Sequence, residues 1–368
     1  MADEITCAVI MDTGSGYCKG GLAGDDAPKT CFPTAIGKSK SDGEQEKESF
    51  VGNDALEKRG ILNISRPIQR GFVKDWEDLE QIWHHCYSKE LKADTSEHPI
   101  LCGIYPDEQK FYKEKMASVF FETFNVPGFY CSIHALLAMY GSGRTSGLVI
   151  DSGEDVTTIV PIENGYTLNY AHTMIPIGGS DLNTNLQKLL KKKNVDLNVE
   201  EARLIKHKKG NVATDYQKEL EDALKGNSQP STYELPDGTQ IELVDEMLRM
   251  SEIMFKPSLI GKYVPGIHEL VVDSLQKLEQ ESKKELVSNL ILSGGNTLTE
   301  GFQKRLNNEL MMMLPTNYKI KMPATNDRQY LSWIGGAVVS ALSTFQSMWI
   351  TKQEYDENGP SIVHTKCL

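Results

Sequence analysis

Short aliphatic runs alternate with stretches of helical periodicity along almost the whole chain, the pattern of an α/β protein. Cys7-Ala8-Val9-Ile10-Met11 is β-rich and stops at Asp12. A Thr13-Gly14-Ser15-Gly16 turn and a return segment reaching Gly24 follow, so this stretch predicts a hairpin. The layout recurs later: Gly147-Leu148-Val149-Ile150 stops at Asp151, Ser152-Gly153 turns, and Val156-Thr157-Thr158-Ile159-Val160 returns. Two such units predict an internal duplication that pairs two halves of the chain around one cleft.

Helices are predicted over 75–92, 110–124, 181–193 and 200–224, with Gly210 interrupting or capping the last. In the first, Trp76, Leu79, Ile82, Trp83, Tyr87 and Leu91 fall on one face. A Pro236-Asp237-Gly238 turn joins two β-like runs. Residues 39–49 contain no apolar side chain, which predicts a solvated, mobile loop.

Composition narrows the class. A chain of 368 residues has room for two domains. With 39% hydrophobic residues it can fill their cores, and no window approaches the roughly 18 apolar residues of a membrane span. Lys and Arg number 39 against 51 Asp and Glu, a net charge of −12 that argues against nucleic acid as the main partner. The opening Met-Ala-Asp-Glu does not read as a signal peptide. Seven scattered cysteines without a C-x-x-C pair read as buried or surface thiols of a reducing compartment, cytosol or nucleus.

Three turns could carry chemistry. Asp12-Thr13-Gly14-Ser15-Gly16, with Lys19 behind it, has the parts of a phosphate-binding hairpin: backbone N–H groups, a hydroxyl donor and a point charge. It is not a Walker A loop, and taken alone it better describes an ordinary Gly-rich hairpin. Asp151-Ser152-Gly153 adds a second strand-end carboxylate, and two such groups suit a hydrated Mg²⁺ or Ca²⁺ that bridges phosphates. The third turn, Ser293-Gly294-Gly295-Asn296, follows Leu290-Ile291-Leu292 and precedes a helix expected from about residue 300.

With these residues in place the sequence resembles an actin, over nearly its whole length. The resemblance rests on the opening hairpin and on Leu22-Ala23-Gly24-Asp25-Asp26-Ala27-Pro28, Lys58-Arg59-Gly60-Ile61-Leu62, Ile82-Trp83-His84-His85 and Phe121-Glu122-Thr123-Phe124-Asn125-Val126-Pro127. Ser142-Gly143-Arg144-Thr145 and the stretch from Trp349-Ile350-Thr351-Lys352-Gln353-Glu354-Tyr355-Asp356 to Gly359-Pro360-Ser361-Ile362-Val363-His364 extend it. It implies the two-domain α/β fold shared by actins, sugar kinases and heat-shock ATPases, with ATP or ADP and Mg²⁺ or Ca²⁺ in a cleft. The first (outer) domain would be 1–140 with 334–368, and the second (inner) domain 141–333. By resemblance, Gly14, Ser15, Gly16 and Lys19 hold phosphates from one side, and Gly153 and Glu154 from the other. Asp12 and Asp151 orient the cation's waters. Gly179, Arg203, Lys206, Gly294, Gly295 and Leu298 line the ribose and base pocket. Without the resemblance, Arg203 and Lys206 read as a solvated helix face.

The departures from the family decide activity. Conventional actins have a water-positioning glutamine where this chain has His134, and a proton-relaying histidine where it has Thr158. Asp155 stands for a glycine near the γ-phosphate, where a second negative charge about 4 Å away would cost up to about 4 kcal/mol at an effective dielectric near 20. These changes predict weak hydrolysis with nucleotide binding retained; the rival expectation is that a neutral His134 orients the water itself. His207, Thr299 and Gln329 alter the base side, Lys262 and Tyr263 alter the tip of the family's plug, and Arg70 replaces a methylated histidine.

The family's mobile loop, 38–49 here, carries Asp42-Gly43-Glu44-Gln45-Glu46-Lys47-Glu48 in place of an apolar tip, which disfavours burial in a neighbouring subunit. Tyr140, Gly143, Thr145, Leu342, Thr344 and Met348 keep the family's groove for actin-binding proteins. The expected protein is an actin-like, ATP-binding cytoskeletal subunit of filaments or of a larger actin-containing assembly, cytoplasmic or in a nuclear or ciliary complex. Its partners are other actin-like subunits and actin-binding proteins, with neither nucleic acid nor membrane. The alternative is a conventional filament-forming actin with active hydrolysis; a small-molecule kinase is disfavoured because no sugar site accompanies the pattern.

Overall fold

A computed structural model describes residues 7–39, 49–106, 110–235 and 238–367. The acidic segment 40–48 and the Pro236-Asp237 turn lie outside them. The chain forms two units, 1–145 with 330–368 and 146–329, each built on its own mixed sheet.

In the first unit, β1 (Val9–Thr13) pairs antiparallel with β2 (Tyr17–Leu22), which pairs with β3 (Thr30–Pro33). On its other side β1 runs parallel to β4 (Ile100–Ile104), and β4 parallel to β5 (Gly128–Ile133). The short strand Ile350–Thr351 closes that edge. β1 is buried on both faces, the condition that makes it a continuous aliphatic run. Against the sheet packs an aromatic core in which the rings of Trp83 and Phe120 lie 4.6 Å apart, and those of Phe121 and Tyr355 4.5 Å.

In the second unit, β6 (Gly147–Ser152) pairs antiparallel with β7 (Thr157–Glu163) and parallel with β8 (Leu290–Ser293). A central strand with a hairpin partner on one side and a parallel strand on the other thus occurs in both units, the duplication that the repeated layout predicts. The registers agree as well: Asp12 faces Lys19 across its hairpin, and Asp151 faces Thr158. The core here is mostly aliphatic, with Leu148, Ile150, Leu182, Leu186 and Ile205 buried alongside Phe255 and Phe302.

Expectations change in detail at the strand ends and in the first helix. Both aspartates lie inside their strands, because the ladder continues past the last aliphatic residue. The helix expected over 75–92 is α-helical over Trp76–His85, with Asp75 capping it through the Asp78 N–H, and then π-helical over Cys86–Leu91. The 200–224 stretch is interrupted at Gly210 as expected, giving two helices, Val199–Lys209 and Tyr216–Leu224.

Candidate functional site

In the first unit the hairpin turn is closed by the Gly14 N–H donating to the Tyr17 carbonyl at 3.0 Å. The Ser15 side chain is buried, and among the described residues its Oγ has no hydrogen-bond partner. A buried hydroxyl without an acceptor is costly, so this one fits a turn that receives a ligand oxygen. Arg66 braces the turn from behind, donating to the Ser15 and Gly16 carbonyls at 3.5 and 3.3 Å. Trp83 Nε1 donates to Thr13 Oγ1 at 3.1 Å.

Asp12 is held at both oxygens: Lys19 Nζ is 2.7 Å from Oδ2 and His134 Nδ1 3.2 Å from Oδ1. Burial pushes the Asp12 carboxyl up, but Lys19 and His134 outweigh it and keep the group below the usual carboxylate range. His134 opens the helix His134–Gly141, and its Nδ1 also lies 3.1 Å from Ser332 Oγ, on the helix Leu331–Ser340. The ring fits because position 103 is glycine: a Cβ there would stand 2.3 Å from the imidazole.

In the second unit the turn after β6 is tied to the helix Gly179–Lys191. The Gly179 N–H donates to the Gly153 carbonyl at 3.0 Å and the Ser180 N–H to the Glu154 carbonyl at 2.7 Å. Asp155 Oδ1 accepts a 2.7 Å hydrogen bond from Ser180 Oγ. Arg203 Nη2 reaches Glu154 Oε1 at 2.6 Å, and Lys206 Nζ lies 4.0 Å from Glu154 Oε2 and donates to the Gly179 carbonyl at 3.1 Å. Burial lowers the Lys206 ammonium pKa to about 8, a shift that Glu154 opposes and Arg203 deepens. Both cations are buried, which corrects the solvated-face reading that their helix suggests alone. That helix turns them toward the Glu154 carboxylate, a partner 49 residues away from Arg203.

The Gly294-Gly295 turn is fastened by Asn296 and Arg328, neither of which the sequence reading gave a role. Asn296 Nδ2 donates to Ser152 Oγ at 3.1 Å and to the Gly153 carbonyl at 2.6 Å. Arg328 donates to the Thr297 hydroxyl and carbonyl at 3.1 and 2.8 Å. Leu298, half-buried, ends the 3₁₀ turn that begins at Gly295. Asn296 was legible in the Ser-Gly-Gly-Asn run; nothing local marks Arg328. Thr158 is buried on β7 opposite Asp151, an alcohol with no group that titrates near neutral pH.

A family model described as actin matches residues 3–221 and 198–368, two overlapping segments that together run through nearly the whole chain. The chain belongs to the actin family. Its mixed α/β architecture of two units is the actin fold. Among the described residues of this actin-family chain, no helix is long and apolar enough to cross a membrane. The residues matching the family's partner groove lie at the surface of the first unit: Leu342 is 51% and Met348 37% exposed, with Gly143, Thr145 and Thr344 also exposed. That exposure removes the alternative that these apolar side chains are ordinary core. Tyr140 is half-buried.

Proposed function

We propose that this actin-family chain is an ATP- or ADP-binding subunit of filaments or of a larger actin-containing assembly, with weakened hydrolysis and self-polymerisation. The buried Ser15 hydroxyl, without a partner among the described residues and in a turn beside Lys19, is the observation that carries nucleotide binding. Gly14, Ser15, Gly16 and Lys19 would take phosphates in the first unit, and Gly153 and Glu154 in the second. Gly179, Arg203, Lys206, Gly294, Gly295 and Leu298 would line the nucleoside pocket. Asp12 and Asp151 would orient the waters of Mg²⁺ or Ca²⁺, which supplies charge compensation for the phosphates when bound.

Weak hydrolysis is supported by Thr158, which has no base to take up the water's proton near neutral pH, and by the anchored ring of His134. Asp155 is directed to Ser180, so its repulsion of a phosphate falls below the roughly 4 kcal/mol bound. A second reading, active hydrolysis, is favoured by one contact. Asp12 at the Nδ1 of His134 is the arrangement that orients an imidazole to act through Nε2.

The nucleotide carried by the purified protein, followed over hours in Mg²⁺, tests both. Persistent ATP is expected, with a Ser15→Ala variant retaining less nucleotide. Steady accumulation of ADP, abolished by His134→Ala, would establish the second reading. A chain that carries no nucleotide and binds none would overturn the proposal.

A further inference from the structure

The strand Ile350–Thr351 pairs with β5 only at Gly128 and Phe129. Two residues further along, the Cys131 N–H donates to Cys367 Sγ at 3.4 Å, a contact between positions 236 residues apart. Both side chains are buried, and each thiol shifts the other's proton affinity. Cys367 follows the four-residue helix Val363–Lys366, which has no side-chain cap at its N-terminus. So short a helix does not hold itself. It is kept down by Lys366, which meets Glu354 at 2.7 and 2.8 Å and the Trp349 carbonyl at 2.6 Å, and by Lys113, which donates to the Cys367 carbonyl at 3.0 Å.

From this geometry we propose that Cys131 and Cys367 are a redox pair, joined by peroxide into an intramolecular disulfide that staples the segment after Val363–Lys366 to β5. The two sulfurs have unequal roles. The Cys131 side chain holds the Cys367 thiol below its usual range against burial, with Lys113 and Lys366 adding to the effect. Cys131, by the same pairing and by burial, is held well above it. Local opening of the short helix admits the oxidant. The Cys367 thiolate attacks one peroxide oxygen, the O–O bond breaks, and hydroxide leaves a sulfenic acid on Cys367. Cys131 then attacks that sulfur; the S–S bond forms, its proton is released and a second hydroxide departs. In sum, two thiols and one peroxide give one disulfide and two waters.

Cys18 and Cys86 provide an internal comparison. Cys18 likewise raises the proton affinity of the Cys86 thiol and both are buried, but they sit on β2 and at the start of the π-helical turn, inside the sheet-and-helix core. Proximity alone predicts oxidation of both pairs, whereas the mechanism above selects Cys131 with Cys367.

The test treats the full chain with stoichiometric hydrogen peroxide, alkylates it under denaturing conditions, digests it without reduction and maps the peptides by mass spectrometry. The expected product is one linked pair joining Cys131 to Cys367, two hydrogens lighter than the free peptides and cleaved by dithiothreitol, with the remaining five cysteines of seven alkylated. Cys131→Ser should leave Cys367 as a dimedone-trapped sulfenic acid. A dominant Cys18–Cys86 link, a disulfide between two chains, or sulfinic acid on Cys367 with Cys131 still alkylated would each overturn the proposal. The wild-type map decides the matter even if the variant folds poorly.

Discussion

Lys206 shows what a single side chain contributes and when. Its ammonium loses its proton near pH 8 in the folded chain, against an ordinary value of 10.5. Between those values the unfolded state holds more protons, so stability rises with pH; below pH 8 the cost of burying the ammonium is present in full. The rise amounts to about 3 kcal/mol across the window. Urea unfolding at pH 7.5, 8.5 and 9.5 should therefore show wild type gaining on Lys206→Met, while parallel profiles would mean that Glu154 and the Gly179 carbonyl hold the charge fully. Asp12 works at the other end of the scale. Held below its ordinary value of 3.8 by Lys19 and His134, it contributes stability above that pH and loses it as the pH falls through the folded value. Position 12 was legible from a strand followed by a Gly-rich turn. The burial of Lys206 was not, since the helix Val199–Lys209 is mostly polar and only its packing turns Arg203 and Lys206 inward.

Among the elements, the helices His134–Gly141 and Leu331–Ser340 are packed backbone to backbone. A Cβ at Gly335 would stand 1.7 Å from the Leu137 carbonyl oxygen, and one at Gly141 2.4 Å from that of Leu331. Gly335→Ala must therefore push the helices apart, at a cost of about 1–3 kcal/mol, and lengthen the His134–Ser332 contact that they bring together. Gly60→Ala, where a Cβ meets nothing within 4 Å, should stay within about 0.5 kcal/mol of wild type. Thermal unfolding of the two variants gives the comparison, and equal midpoints would refute the packing argument. Periodicity found the helix over 75–92 because it reports which side chains share a face. It missed the π-helical turn over Cys86–Leu91 because hydrogen-bond register leaves almost no trace in that pattern.

For the molecule as a whole, a net charge of −12 opposes association of like chains, and the charges of 40–48 add to it where the family inserts an apolar loop. Self-association in Mg-ATP should accordingly be weak at 0.01 M salt, where the screening length is about 30 Å, and stronger at 0.15 M, where it is about 8 Å. A chain with an apolar segment at 40–48 should pellet better at both. Efficient pelleting of the unmodified chain at low salt would instead favour a conventional filament-forming actin.

Sequence by itself determined the strands, their duplicated layout, the three glycine turns and the family, because burial on both faces demands aliphatic runs and close backbone turns demand small residues. Those constraints act over a few neighbouring positions and are written there. Tertiary structure alone decided which distant groups meet: His134 on Asp12, Arg203 and Lys206 on Glu154, Asn296 on Ser152, and Cys367 on Cys131. Each contact depends on how whole strands and helices pack, and long-range packing leaves no periodic mark on any one segment of the chain.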